Sequence, residues 1–197
     1  MNRSKTLFLA TALLIFSVKN AIGQDSYKMQ PVTIQSRWAK DVSPANALKE
    51  YPRPQLTREH WTNLNGLWRY AITEKGAVKP KTWEGQILVP YPIESALSGV
   101  KKSLLPTQTL WYKRSFDRPK LKPGEKLKLN FGAVDYEAAG YINGTLIGSH
   151  TGGYTEFSFD ITPALKEGTN ELVVKMFDPS NEGIGPHGKQ VSNPAMA

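Results

Sequence analysis

Between Leu67 and Phe177 the chain alternates apolar and polar residues in short stretches, none longer than seven residues, broken by Gly, Pro, Asn and Asp. The stretches are Leu67–Ile72, Gln86–Val89, Leu110–Phe116, Lys126–Phe131, Ala138–Ile142, Leu146–His150, Glu156–Ile161 and Glu171–Phe177. Alternation with a period of two places every second side chain on one face of a strand. Short strands with turn residues between them predict an all-β fold of two packed sheets, a sandwich or jelly roll, and exclude a helix-rich α/β architecture.

Two local signals sharpen the tracing. Asn143-Gly144 stands between Gly140-Tyr141-Ile142 and Leu146-Ile147-Gly148, and this pair suits a two-residue type I′ turn because both central residues need positive φ. The flanking strands are therefore expected to pair. The same residues form the acceptor pattern Asn143-Gly144-Thr145, but the turn alone accounts for them. Thr162-Pro163-Ala164-Leu165-Lys166-Glu167-Gly168 offers a capping hydroxyl, a proline at the first helical position and a glycine beyond the end, which predicts one short helix.

The amino terminus reads as an address. Arg3 and Lys5 precede the mainly apolar run Leu7–Val18, and Ala21-Ile22-Gly23 supplies small residues at a cleavage position. Residues 1–23 are thus expected to be a signal peptide, and the protein exported, periplasmic or extracellular. A bilayer span takes about 20 apolar residues, so no membrane span is expected. Residues 24–50 hold Pro31 and Pro44 without periodicity and read as an amino-terminal arm. Residues 51–197 read as one β domain.

Composition removes several chemistries. With no cysteine there are no disulfides, thiolate zinc sites or cysteine nucleophiles. His60, His150 and His187 are scattered, none lies in a nucleophile context, and neither a metal nor a cofactor is expected. Gly183-Ile184-Gly185-Pro186-His187-Gly188 has dinucleotide-loop spacing, but Lys189-Gln190-Val191-Ser192-Asn193-Pro194 leaves no room for the helix such a loop must open. Of the formal charge of +8, Lys113–Lys128 carries +5 and Arg3, Lys5 and Lys19 the rest. Lys126, Lys128 and Asn130 alternate there with Leu127, Leu129 and Phe131, so the stripe reads as the outward face of two strands rather than a site for nucleic acid or an acidic polysaccharide. The carboxylates Glu94, Asp135, Glu137 and Asp160 show no spacing that pairs two of them for glycoside hydrolysis.

An ordered series of motifs resembles the amino-terminal domain of glycoside hydrolase family 2, the family of β-galactosidases, β-glucuronidases and β-mannosidases. It begins with Arg53-Pro54-Gln55, then Trp61-x-Asn63-Leu64-Asn65-Gly66-x-Trp68 and Val89-Pro90-Tyr91-Pro92-Ile93-Glu94-Ser95. Leu110-Trp111-Tyr112-Lys113-Arg114-x-Phe116, Tyr141-Ile142-Asn143-Gly144 and His150-Thr151-Gly152-Gly153-Tyr154-Thr155-x-Phe157-x-x-Asp160 continue it, and Gly188-Lys189-Gln190 closes it. The resemblance covers about Tyr51–Ala197. It implies a galactose-binding-domain-like jelly roll, here lacking its final strand because the sequence closes on Asn193-Pro194-Ala195-Met196-Ala197.

It further implies a carbohydrate (β-glycoside) substrate, and it implies that the immunoglobulin-like module and the (β/α)₈ barrel with the catalytic glutamates are missing partners. A barrel needs about 250 residues, so no catalytic residue is expected in this chain and it should be inactive alone. By position, the resemblance makes Asp160 and Asn181 sugar contacts. Asp160 could equally fix the start of the Thr162 helix, and Asn181 could make an Asx turn. A fragment of an exported β-glycosidase and a free-standing carbohydrate-binding module are the two function classes that remain.

Overall fold

Asn143 and Gly144 take φ of 51° and 85°, as a type I′ turn demands. They join strands β5 (Glu137–Ile142) and β6 (Thr145–Thr151), which pair antiparallel from Ile142↔Thr145 onward. The structure, a computed structural model, describes residues 27–180. The other strands are β1 (Gly66–Glu74), β2 (Gly85–Val89), β3 (Gln108–Asp117), β4 (Lys128–Phe131), β7 (Phe157–Asp160) and β8 (Thr169–Phe177). Every expected strand is present, with ends shifted by no more than two residues.

Six strands form one antiparallel sheet in the order β2-β1-β3-β8-β5-β6, and β4 pairs only with β7 in a second sheet. The molecule is an all-β sandwich. The strands flanking Lys122-Pro123-Gly124-Glu125 belong to different sheets, because β3 pairs with β1 and β8 whereas β4 pairs with β7. The connection therefore crosses from sheet to sheet and its lysines do not share one strand face.

The core lies between the sheets. Trp68, Tyr70, Ile87, Leu110, Ile142, Leu172, Val174 and Met176 from the large sheet meet Leu129, with Phe131 and Phe159 packed against them. Each such side chain contributes about 1.5–3 kcal/mol when fully buried. Phe157 departs from its neighbours. Instead of entering this cluster it stacks between Phe131 and His150, with ring centroids 4.8 Å and 4.1 Å away.

Close approach of the sheets depends on glycine at one place. A Cβ on Gly148 would stand 2.4 Å from Cε1 of Phe159, and Gly148 has φ of +155°. Beside it the β5–β6 register shifts at Gly140/Tyr141.

The expected helix over 162–168 is instead a single 3₁₀ turn, Thr162–Ala164. Thr162 does not cap it, because its Oγ1 accepts the N–H of Leu127 at 2.8 Å. Leu165 returns to extended backbone and packs against the core. Asn170, fully buried, takes the N–H of Lys166 at 2.9 Å and donates to the carbonyls of Lys166 and Gly168. It also accepts from Asn143 Nδ2 at 2.8 Å, and that amide donates again to Ala164 O. Tertiary hydrogen bonds thus stop the helix after one turn.

Within the arm, Tyr27 Oη donates to Leu97 O at 2.8 Å and Gln30 Nε2 to Gly99 O at 2.7 Å. Lys101 Nζ donates to Pro31 O at 2.6 Å, and Arg53 pairs with Glu156. The expected signal peptide and the expected missing final strand both fall outside the described residues.

Candidate functional site

Asp160 ends β7, where the alternation that turns Phe159 inward turns the carboxylate outward. Oδ1 accepts the N–H of Thr162 at 3.0 Å, and Oδ2 lies 3.1 Å from Lys126 Nζ. The Lys126 side chain is 70% exposed and that of Asp160 32%, so solvent or a ligand reaches the pair. Ile161 N donates to Leu127 O at 3.0 Å, which continues the β4–β7 ladder and brings residues 126 and 160 together. Asp160 thus fixes the start of the 3₁₀ turn while keeping an exposed carboxylate.

Hydrogen bonding from the Thr162 side chain, from Lys126 and from the Thr162 N–H lowers the Asp160 pKa to about 2. A depressed carboxyl pKa adds stability that is complete above the ordinary carboxylate pKa and is lost as pH falls through the folded value. For Asp160 that window runs from the ordinary aspartate value of 3.8 down to about 2. A ¹³C titration of the Asp160 carboxyl should find its midpoint below that of an exposed aspartate, and a midpoint at the ordinary value would show that these bonds are not kept in solution. At neutral pH the group is an anion with lone pairs left for hydroxyl donors.

The other candidates are dispersed. Asn181 and His187 lie outside the described residues, as does the Gly183–Gly188 motif. Glu94 accepts the N–H of Leu104 at 3.2 Å in the β2–β3 connection. Asp135 lies against the backbone of Gly153, where an added Cβ would stand 2.5 Å from Oδ1. Glu137 opens β5. His150 Nε2 is 3.3 Å from Thr155 Oγ1, under the Phe157 ring. Among the described residues no three of His, Asp and Glu gather as a possible metal site. Trp68 and Trp111 are buried, with Nε1 donating to Leu64 O and Thr73 Oγ1, so neither presents a sugar platform. Lys126 is the site residue that sequence reasoning missed. It stands far from Asp160 in the chain, and only the β4–β7 pairing joins them.

The all-β sandwich of a six-stranded and a two-stranded sheet is consistent with a galactose-binding-like class of domain. Residues 97–193 match the family described as glycosyl hydrolase 2 galactose-binding domain-like. Over 129 residues the chain is 26% identical to a β-glucuronidase of Paenibacillus borealis, which covers 62% of this chain and 22% of the relative. A β-galactosidase of Thermoanaerobacter pseudethanolicus is 36% identical over 83 residues, 41% of this chain and 11% of the relative. A solved β-glucuronidase of Bifidobacterium dentium aligns at 30% identity and a TM-score of 0.48, over 57% of this chain and 19% of that one. The chain spans about a fifth or less of the length of these relatives.

Proposed function

We propose that this chain is the non-catalytic sugar-binding part of an exported family 2 β-glycosidase, in which Asp160 accepts a hydroxyl of the bound β-glycoside. The observation that carries the reading is the Asp160 carboxylate, exposed, ionised and held on Thr162 N and Lys126 at the end of β7. Such an anchored acceptor loses little freedom on binding, which favours a directed hydrogen bond to substrate. The relatives named above are a β-glucuronidase and a β-galactosidase, and the proposed substrate class is the β-glycoside they share. Hydrolysis itself belongs, in this reading, to a barrel outside this chain, whose catalytic carboxylates must stand at a set separation. Residues 1–23 supply export, as the basic start and the apolar run suggest.

The purified chain is expected to hydrolyse none of aryl β-galactoside, β-glucuronide and β-mannoside. Turnover that persists through repurification and disappears in Glu94→Gln or Asp160→Asn would overturn the non-catalytic reading. Joining the chain to a family 2 immunoglobulin-like module and barrel should restore activity, and Asp160→Asn in that fusion should weaken it.

A further inference from the structure

Near the end of β1 the surface opens into a depression of about 510 Å³ that shares no residue with the Asp160 site. Ile72, Glu84, Lys102, Ser103, Leu105 and Gln108 line it. The β1–β2 ladder stops at Tyr70↔Gly85, so Ile72 has no partner on β2, and its N–H donates instead to Glu84 Oε1 at 2.7 Å. Oε2 of the same carboxylate takes Lys102 Nζ at 2.8 Å. That ammonium also lies 5.5 Å from the centroid of the Tyr70 ring, a further hold on the ion pair.

Leu105–Gln108 adds a turn that is closed twice. The Gln108 N–H donates to Leu105 O at 2.9 Å, and the Leu105 N–H donates to Gln108 Oε1 at 3.0 Å. This bonding leaves a definite set of groups open. Gln108 Nε2 and the Ser103 hydroxyl have no hydrogen-bond partner among the described residues, and the Glu84 carboxylate keeps lone pairs beyond the two already used. Leu105, 49% exposed, and Ile72 supply aliphatic surface beside them. One carboxylate and one ammonium leave the lining neutral in sum.

We propose that this depression binds one pyranose ring of a neutral saccharide, whose hydroxyls meet Glu84, Ser103 and Gln108 Nε2 while its C–H face lies on Leu105. A balanced ion pair gives a charged ligand no net attraction, whereas a hydroxyl can donate to the carboxylate and accept from the amide at once. The volume falls within the range of about 300–1,000 Å³ usual for small-molecule sites. The lining residues are themselves partly exposed, so only one side of the ring is covered, and a dissociation constant on the order of 1–10 mM is expected. The choice of a saccharide over another polyol rests on the proposed sugar-binding function.

The test is a ¹H–¹⁵N NMR titration of the unaltered chain with methyl β-D-galactopyranoside, methyl β-D-glucopyranosiduronate or glycerol. The galactoside should shift the backbone amides of Ser103 and Leu105 and the side-chain amide of Gln108 in a saturable way, and the glucuronide should bind there no more tightly. Ser103→Ala with Gln108→Ala should weaken this binding about tenfold, whereas Asp160→Asn should leave it unchanged. No saturable shift of these groups up to about 100 mM galactoside, equal shifts with glycerol at the same molarity, or tighter binding of the glucuronide would overturn the proposal. Shifts confined to residues 126–128 and 160–162 would overturn it too while supporting the Asp160 site. Saturable shifts at Ser103, Leu105 and Gln108 without any at Asp160 would uphold it and count against that site. The titration uses the unaltered chain and so stands even where a variant fails to fold.

Discussion

Gly148→Ala is expected to destabilise the domain by about 3 kcal/mol or more, combining overpacking with a backbone conformation that L side chains rarely adopt. The new methyl would meet the Phe159 ring at 2.4 and 2.5 Å. That ring cannot simply swing aside, because Phe131 and Phe157 flank it with centroids 6.1 Å and 5.4 Å away. Domains of this size hold about 5–15 kcal/mol in total, so the melting temperature should fall by many degrees. Phe159→Ala alone should cost about 3–5 kcal/mol, and the double variant should cost clearly less than the two losses added, since removing the ring removes the clash. Full additivity in urea denaturation would show that the two residues do not touch.

Phe159→Asp against Ser158→Asp forms the second large contrast. Phe159 packs against the core cluster from β7, while Ser158 is exposed on the opposite face of the same strand. The first substitution gives up apolar burial and places a charge among rings, which should leave the chain unfolded. The second should change stability by no more than about 0.5 kcal/mol, as surface substitutions do. Circular dichroism melts of the two variants decide the matter, and equal effects would refute the register of β7.

The strands were legible because a period of two survives in the sequence wherever one face is buried, and Asn143-Gly144 marked one hairpin outright. Pairing between distant strands was not legible. Leu129 and Phe116 alternate with polar neighbours in the same way, yet one sits in the two-stranded sheet and the other in the six-stranded one. Nothing within a single stretch distinguishes the two situations. Val173 reads as solvent-facing but is 1% exposed, and it stands opposite Lys113 and Tyr141 on the flanking strands.

The Thr162–Gly168 signals are local, and they lost to contacts made at a distance by Leu165 and Asn170. Asn170 stands one residue before the expected strand Glu171–Phe177, and a buried amide that joins distant chain segments has no mark in composition. At the candidate site the aspartate was found through a resemblance of motifs. Its lysine was hidden by the length of chain between them.

The hairpin tip has a consequence for how the chain would fare in a secretory pathway that attaches glycans. Asn143 is both the turn residue and the acceptor of the Asn143-Gly144-Thr145 sequence, and its amide nitrogen donates to Ala164 O and to Asn170 Oδ1. The atom an oligosaccharyltransferase would have to reach is therefore occupied as soon as β5 and β6 close and the 3₁₀ turn docks. Sugar transfer and folding compete for one nitrogen, and occupancy at Asn143 would record which of the two came first.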